Sequence, residues 1–178
     1  MGYSIAWLAV ECTDPDAALA DLKLRRTGEY AYFAEDALTS AALPGGQFLI
    51  VADTCDHRII EPDTLASLSV KYSVVACSIE EHVMFSSAEQ WIGGKRLWRI
   101  EHQAEDSPIH LATAGSLPAS FSSIAAKQKA AQEAAGGEDA DVDLYFEIPL
   151  LVAKGITGFK HDDVIDGIDY DRFDVLEE

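Results

Sequence analysis

Apolar residues dominate positions 3–11 without an intervening Gly or Pro, and the same density returns at 47–53 and 73–79. Short runs rich in Val, Ile, Leu and aromatic residues, bounded by turn formers, are expected to be strands. The third run is continuously apolar through Val74-Val75-Ala76-Cys77, which places it centrally with both faces covered. Thr13-Asp14-Pro15 supplies a capping oxygen just before a proline suited to a first helical turn, so a helix is expected over 15–24, with Ala17, Leu19 and Leu22 turned inward. Glu61-Pro62 opens a second short helix ending near Ser69. Residues 25–43 show no clean period and read as an irregular connection, closed by the turn Pro44-Gly45-Gly46.

The sharpest local pattern is a hairpin. Residues 85–92 and 95–102 flank Gly93-Gly94, a dipeptide that tolerates the positive φ of a two-residue turn. Pairing Ile92 with Lys95 and counting outward puts Phe85, Ser87, Glu89 and Trp91 on one face with Arg96, Trp98, Ile100 and His102. The other face carries Ser86, Ala88, Gln90, Ile92, Lys95, Leu97, Arg99 and Glu101. The first set is richer in large apolar groups and is expected to face the core. A slip of one residue would reverse the assignment. A further strand is expected over 108–113, a helix over 118–135 stopped by Gly136-Gly137, and a last helix from Pro149 to Gly158. Helices interspersed with antiparallel strands imply an α+β fold. The expected architecture is a single two-layer domain over 1–160, with a mainly antiparallel sheet and helices packed on it, followed by an acidic C-terminal segment, 161–178.

Composition narrows the function. The 178 residues carry 31 acidic and 13 basic side chains, a net charge of −18. No Lys/Arg cluster is available to displace phosphate counterions, which argues against nucleic acid and against an anionic membrane. The N-terminal apolar run, residues 5–10, is too short for a signal-peptide core or a membrane span. Cys12, Cys55 and Cys77 cannot all pair and form no CxxC, so they read as reduced thiols in a cytoplasmic protein. There is no Walker loop, GxGxxG, HExxH or GxSxG, and no cofactor or metal is implied.

Three groups of residues could carry chemistry. Asp53-Thr54-Cys55-Asp56-His57 follows an apolar strand, where a thiol beside imidazole and carboxylate could act as a nucleophile; a polar loop making turn hydrogen bonds is the plainer reading. Glu101, His102, Glu105, Asp106 and His110 could supply a general base or a divalent metal site, although on the hairpin reading only His102 points inward; a buried-edge histidine with a solvated acidic loop is the plainer reading. The last 18 residues hold eight acids interleaved with Ile165, Ile168, Tyr170, Phe173, Val175 and Leu176. That segment lacks the terminal Glu of an EF-hand loop and reads either as a tail docked on its own domain or as a surface for a basic partner.

The segment 146–162, with Phe146-Glu147-Ile148-Pro149 leading to Gly158-Phe159-Lys160-His161-Asp162, resembles a stretch found in small uncharacterised bacterial proteins; residues 85–102 are similar to the same group. The resemblance implies bacterial origin and a compact domain, and carries no catalytic residue with it.

The leading functional expectation is a non-catalytic acidic binding protein, of the immunity or antitoxin-like kind, that masks a basic protein. Asp162, Asp163, Asp166, Asp169, Tyr170, Asp171 and Phe173 are its candidate contacts. From Glu133 onward there are 14 acids against 3 bases, net −11, leaving −7 for the first 132 residues. Complementary charge steers encounter and selects partners. The alternative is a small hydrolase or metal-dependent enzyme using His102, Glu89 and His57 or Asp53. A homodimer is a third possibility.

Overall fold

The computed structural model describes residues 2–178. Nine strands form one sheet: β1 (Ser4–Glu11), β2 (Arg25–Ala31), β3 (Leu38–Ala42), β4 (Gln47–Ala52), β5 (Ser73–Glu80), β6 (Phe85–Ile92), β7 (Lys95–Gln103), β8 (Ala112–Gly115) and β9 (Phe173–Glu177). Four α-helices accompany them: α1 (Pro15–Asp21), α2 (Pro62–Leu68), α3 (Phe121–Ala135) and α4 (Glu147–Thr157). The strand order is β2-β9-β3-β4-β1-β5-β6-β7-β8, and every neighbouring pair is antiparallel. The chain is an α+β domain with an antiparallel sheet, as the patterning implies.

Alternation along β1 shows how the core divides. Ile5, Trp7 and Ala9 point to one face, where they meet α3, α4, Phe159 and Phe173. Ala6, Leu8 and Val10 point to the other, against α1, α2 and the 3-10 turn Arg58–Ile60. Helices therefore lie on both faces, and the central strands β1 and β5 are buried on both sides, which explains their unbroken apolar runs. On the first face Trp7 meets Phe159 edge-on at 5.2 Å between ring centroids. The cap at Asp14 forms as its position suggests: its Oδ1 accepts from the backbone N–H of Asp16 and Ala17 at 3.1 and 3.2 Å.

Three expectations are corrected. Residues 25–43 are not irregular, because they contain β2 and β3. β2 hid because its outward side chains, Arg25, Thr27 and Glu29, are exposed and its ladder breaks between Arg26 and Tyr30. The C-terminal segment is not an appendage: β9 lies between β2 and β3, pairing Phe173 with Ala31 and Val175 with Thr39. The hairpin turn is placed correctly, with Ile92 opposite Lys95 and Gly93 and Gly94 at φ of 62° and 77°, but the ladder slips one residue farther out. Trp91 pairs with Arg96 while Gln90 pairs with Trp98, so Leu97 is the extra residue of a β-bulge. Beyond it, Trp98, Ile100 and His102 share a face with Ser86, Ala88 and Gln90, and Glu89 shares the opposite face with Arg99. The face assignment of β7 is thus inverted relative to the two-residue-turn count.

Candidate functional site

The inversion decides which candidate groups can meet. His102 is fully buried on the α3/α4 face, where its Nδ1 lies 2.6 Å from the carbonyl oxygen of His110 and its Nε2 lies 2.8 Å from Asp143 Oδ2. A carbonyl oxygen only accepts, so Nδ1 carries a proton, and a second proton sits between Nε2 and the Asp143 carboxyl. Asp143 Oδ1 also accepts from Phe146 N–H at 3.0 Å. The buried Gln132 amide donates to the carbonyls of Gly137 and Val142 and accepts from Leu144 N–H, so the whole 137–146 connection is pinned between α3 and β7. His102 is a satisfied structural histidine with both ring nitrogens engaged. His110 accepts from Gln103 N–H through its own Nδ1.

Glu89 and His57 are on the other side of the sheet. There they line a cleft of about 350 Å³ between the start of α2 and the β5–β7 face, together with Ser78, Ser87, Arg96 and Arg99. Glu89 is 5% exposed and lies 3.4 Å from Arg96 and 3.2 Å from Arg99, and Arg99 also holds Glu101 at 2.5 Å. His57 accepts from Ile59 N–H through Nδ1, capping the 3-10 turn. Burial, then the neighbouring Arg58 charge, hold its imidazole below the usual histidine range, so the ring is neutral at pH 7 with its proton on Nε2. Asp53 is exposed beside it. The structure therefore brings His57 and Glu89 to one cleft and separates both from His102 by the thickness of the sheet. Glu89 is committed to two guanidiniums and does not pair with His57; the other carboxylates lining the cleft, Asp56 and Glu61, stand at its rim. Cys55 lies 3.8 Å from Glu80, and burial pushes the Cys77 thiol well above its ordinary range. Among the described residues no group of three or more His, Cys, Asp or Glu side chains is placed to hold a metal ion.

The C-terminal candidates divide into anchors and free acids. Phe173 is fully buried, with its ring 5.5 Å from Phe33 and 6.2 Å from Tyr170. Tyr170 donates its hydroxyl to the carbonyl of Asp163. Both aromatic side chains are thus spent on the domain's own packing, which corrects their assignment as partner contacts. Asp163 pairs with Lys154 at 2.6 Å, and Asp162 pairs with the buried Lys160, which also lies 3.0 Å from Glu147. Burial opposes the Lys160 charge, but the two carboxylates outweigh it and raise its pKa. Asp166, Asp169 and Asp171 remain exposed with no Lys or Arg partner.

Topology gathers a larger set of carboxylates that sequence reading passed over. Strand directions fix which strand ends lie together. The start of β3, the end of β4, the turn between β5 and β6, and the end of β7 all fall at one end of the sheet, as the pairings Leu38–Ala52, Ala6–Ala52, Ser4–Glu80 and Phe85–Gln103 require. They carry Glu35, Asp36, Asp53, Asp56, Glu80, Glu81, Glu105 and Asp106. Glu80 accepts from Ser4 Oγ at 2.5 Å and lies 2.5 Å from His82 Nδ1, contacts that hold its carboxyl at about 2. Glu81 meets the buried His161 at 3.0 Å, joining the 162–171 segment to this end. The other six are exposed, and none forms an ion pair with Lys or Arg among the described residues. At the opposite end the turns Pro44-Gly45-Gly46 and Gly93-Gly94 bear no charge, and Lys71, Lys95 and Arg96 stand there with the acids Glu11 and Asp14.

No family model matches the chain, and comparisons with curated proteins and with solved structures likewise return no match. No helix among the described residues is long and apolar enough to cross a membrane.

Proposed function

We propose that this chain is a non-catalytic acidic binding protein that docks a basic protein against the carboxylate-bearing end of its sheet. The observation that carries this reading is a row of six exposed carboxylates, Glu35, Asp36, Asp53, Asp56, Glu105 and Asp106, that stand in three pairs along one end of the sheet and form no ion pair with Lys or Arg among the described residues. A row of like charges on a rigid sheet end presents a field that attracts and orients a complementary basic surface. Asp166, Asp169 and Asp171 extend the acidic surface away from this end, anchored by Tyr170 and Phe173 beneath them. An immunity or antitoxin-like protein, which masks a basic toxin in a reducing cytoplasm, is the finer form of the reading; the three free thiols fit that compartment. The hydrolase alternative is weaker, because His102 cannot share a proton with Glu89 or His57 across a sheet.

The test compares proteins captured from a native lysate by the wild-type chain with those captured by the Glu35→Gln, Asp36→Asn, Glu105→Gln, Asp106→Asn variant, at low and high salt. The expected result is a basic protein, identified by mass spectrometry, that the variant fails to retain and that salt releases from the wild type. Identical captures by both forms would reject the docking end.

A further inference from the structure

On the sheet face that carries α1 and α2, the strands beneath the helices are apolar: Leu8 and Val10 on β1, Phe48 and Ile50 on β4, Val74 on β5. Farther out the same face turns polar. Ser78 on β5 pairs with Ser87 on β6, and Glu89 on β6 pairs with Arg99 on β7. Ser87 and Glu89 are nevertheless only 3% and 5% exposed. Residues 56–62 stand opposite them, and between the two lies the cleft of about 350 Å³. That size is within the range of small-molecule sites.

The cleft has two unlike walls. On the sheet wall Glu89 holds both guanidiniums, and each of its oxygens meets one of them, so its charge is spent within the wall. Arg99 is spent too, between Glu89 and Glu101. Arg96 is not: it gives Glu89 a single N–H at 3.4 Å, and its other donors make no hydrogen bond among the described residues. Ser78 donates its hydroxyl to the Cys55 carbonyl at 2.6 Å, but the Ser87 hydroxyl beside it has no partner among the described residues. A hydroxyl so deeply buried and unpaired is the exception in folded proteins. The facing wall carries Asp56 and Glu61, both exposed and neither paired with Lys or Arg, and His57, whose Nδ1 is taken by Ile59 N–H. Ile60, Pro62, Ala76 and Phe85 supply apolar surface.

We propose that this cleft binds a small zwitterion, an α-amino acid with an apolar side chain. Its carboxylate meets Arg96 and the Ser87 hydroxyl, and its ammonium meets Asp56 and Glu61. Charge selects this occupant over simpler ones. The lining holds three carboxylates against two guanidiniums, so a plain anion is repelled by the rim acids. A plain cation would leave Arg96 and Ser87 without a partner. A molecule bearing both charges answers both walls, and its apolar side chain covers Phe85 and Ile60. The site shares only Asp56 with the docking end, whose test leaves Asp56 untouched, so either reading can fail alone.

The test is isothermal titration calorimetry of the full chain with L-leucine, L-methionine and L-phenylalanine. Each is compared with its N-acetyl form, which lacks the ammonium, and its amide, which lacks the carboxylate. At least one free amino acid is expected to bind saturably, one per chain, and both its blocked forms at least about tenfold more weakly, as loss of a charge-assisted contact implies. Ser87→Ala and Arg96→Gln are each expected to weaken binding about tenfold, with circular dichroism checking that both are folded. Absence of saturable binding by all three up to about 10 mM would overturn the proposal. So would a blocked form that binds as tightly as its parent, or binding that neither variant weakens.

Discussion

Replacing Phe173 by Ala separates a docking role for the C-terminal segment from a structural one. The side chain is fully buried, and it stands in a chain of rings running from Tyr170 through Phe33 to Phe159 and Trp7. Truncating a buried Phe to Ala costs about 3–5 kcal/mol, as lost transfer energy plus the cavity left behind. Here the cost belongs near the upper figure, since β9 joins β2 to β3 and the ring secures its first residue. Against a total stability of about 5–15 kcal/mol for a domain, that is a large fraction. In urea titration followed by tryptophan fluorescence, with a slope of about 2 kcal/mol/M, the midpoint should fall by about 2 M. Asp171→Asn, two residues away and exposed, should leave the midpoint within about 0.5 kcal/mol of wild type. A Phe173→Ala loss below about 1 kcal/mol at unchanged slope would refute the placement of β9 in the sheet.

Two further outcomes follow from buried or hydrogen-bonded ionisable groups. Glu80 titrates at about 2 in the folded chain against an ordinary 4.5, so its stabilisation is complete above about pH 4.5 and disappears as pH falls through about 2. The ceiling is about 3 kcal/mol, reduced to about 1 by the solvent that reaches the carboxylate, and the stability gap between wild type and Glu80→Gln should close over that interval; a gap constant from pH 7 to 2 would refute it. Asp143→Ala should cost about 3 kcal/mol by leaving His102 Nε2 unpartnered, and Asp143→Asn should recover most of it because its NH2 donates to the Nε2 of the neutral ring while its oxygen still accepts from Phe146 N–H. Equal losses in the two variants, measured by denaturant titration, would show that the hydrogen bond is not what Asp143 supplies.

Much of the architecture was legible because burial on both faces leaves a plain trace: β1, β4 and β5 are unbroken apolar runs, and Asp14-Pro15 and Gly93-Gly94 mark their helix start and turn directly. β2 and β9 left no such trace. β2 has no buried position and β9 buries Phe173, Val175 and Leu176 between acids, so both look polar until their pairing is known. The candidate site failed for a more local reason. A single bulge at Leu97 rotates Trp98, Ile100 and His102 to the opposite face, and nothing in the composition of 95–98 distinguishes a bulged from a regular strand. The sharing of one sheet end by these acids was hidden by distance, since Asp36 and Glu105 are 69 positions apart in sequence. It becomes readable once the strand order is known, because the direction of each strand then assigns its two ends.

The charge of the fold fixes how the proposed docking surface responds to salt. Docking of a basic protein at the carboxylate end draws on attraction between unlike fields and must weaken as salt screens them. Removing the C-terminal acids by truncation cannot probe this, because cutting before β9 takes a strand from the interior of the sheet and uncouples β2 from β3. Neutralising Asp166, Asp169 and Asp171 in place keeps the strand and its aromatic anchors, and so changes the field without changing the fold. Salt dependence measured on that neutralised chain then reports electrostatics alone: capture of a basic protein should fall while the urea midpoint stays within about 0.5 kcal/mol of wild type.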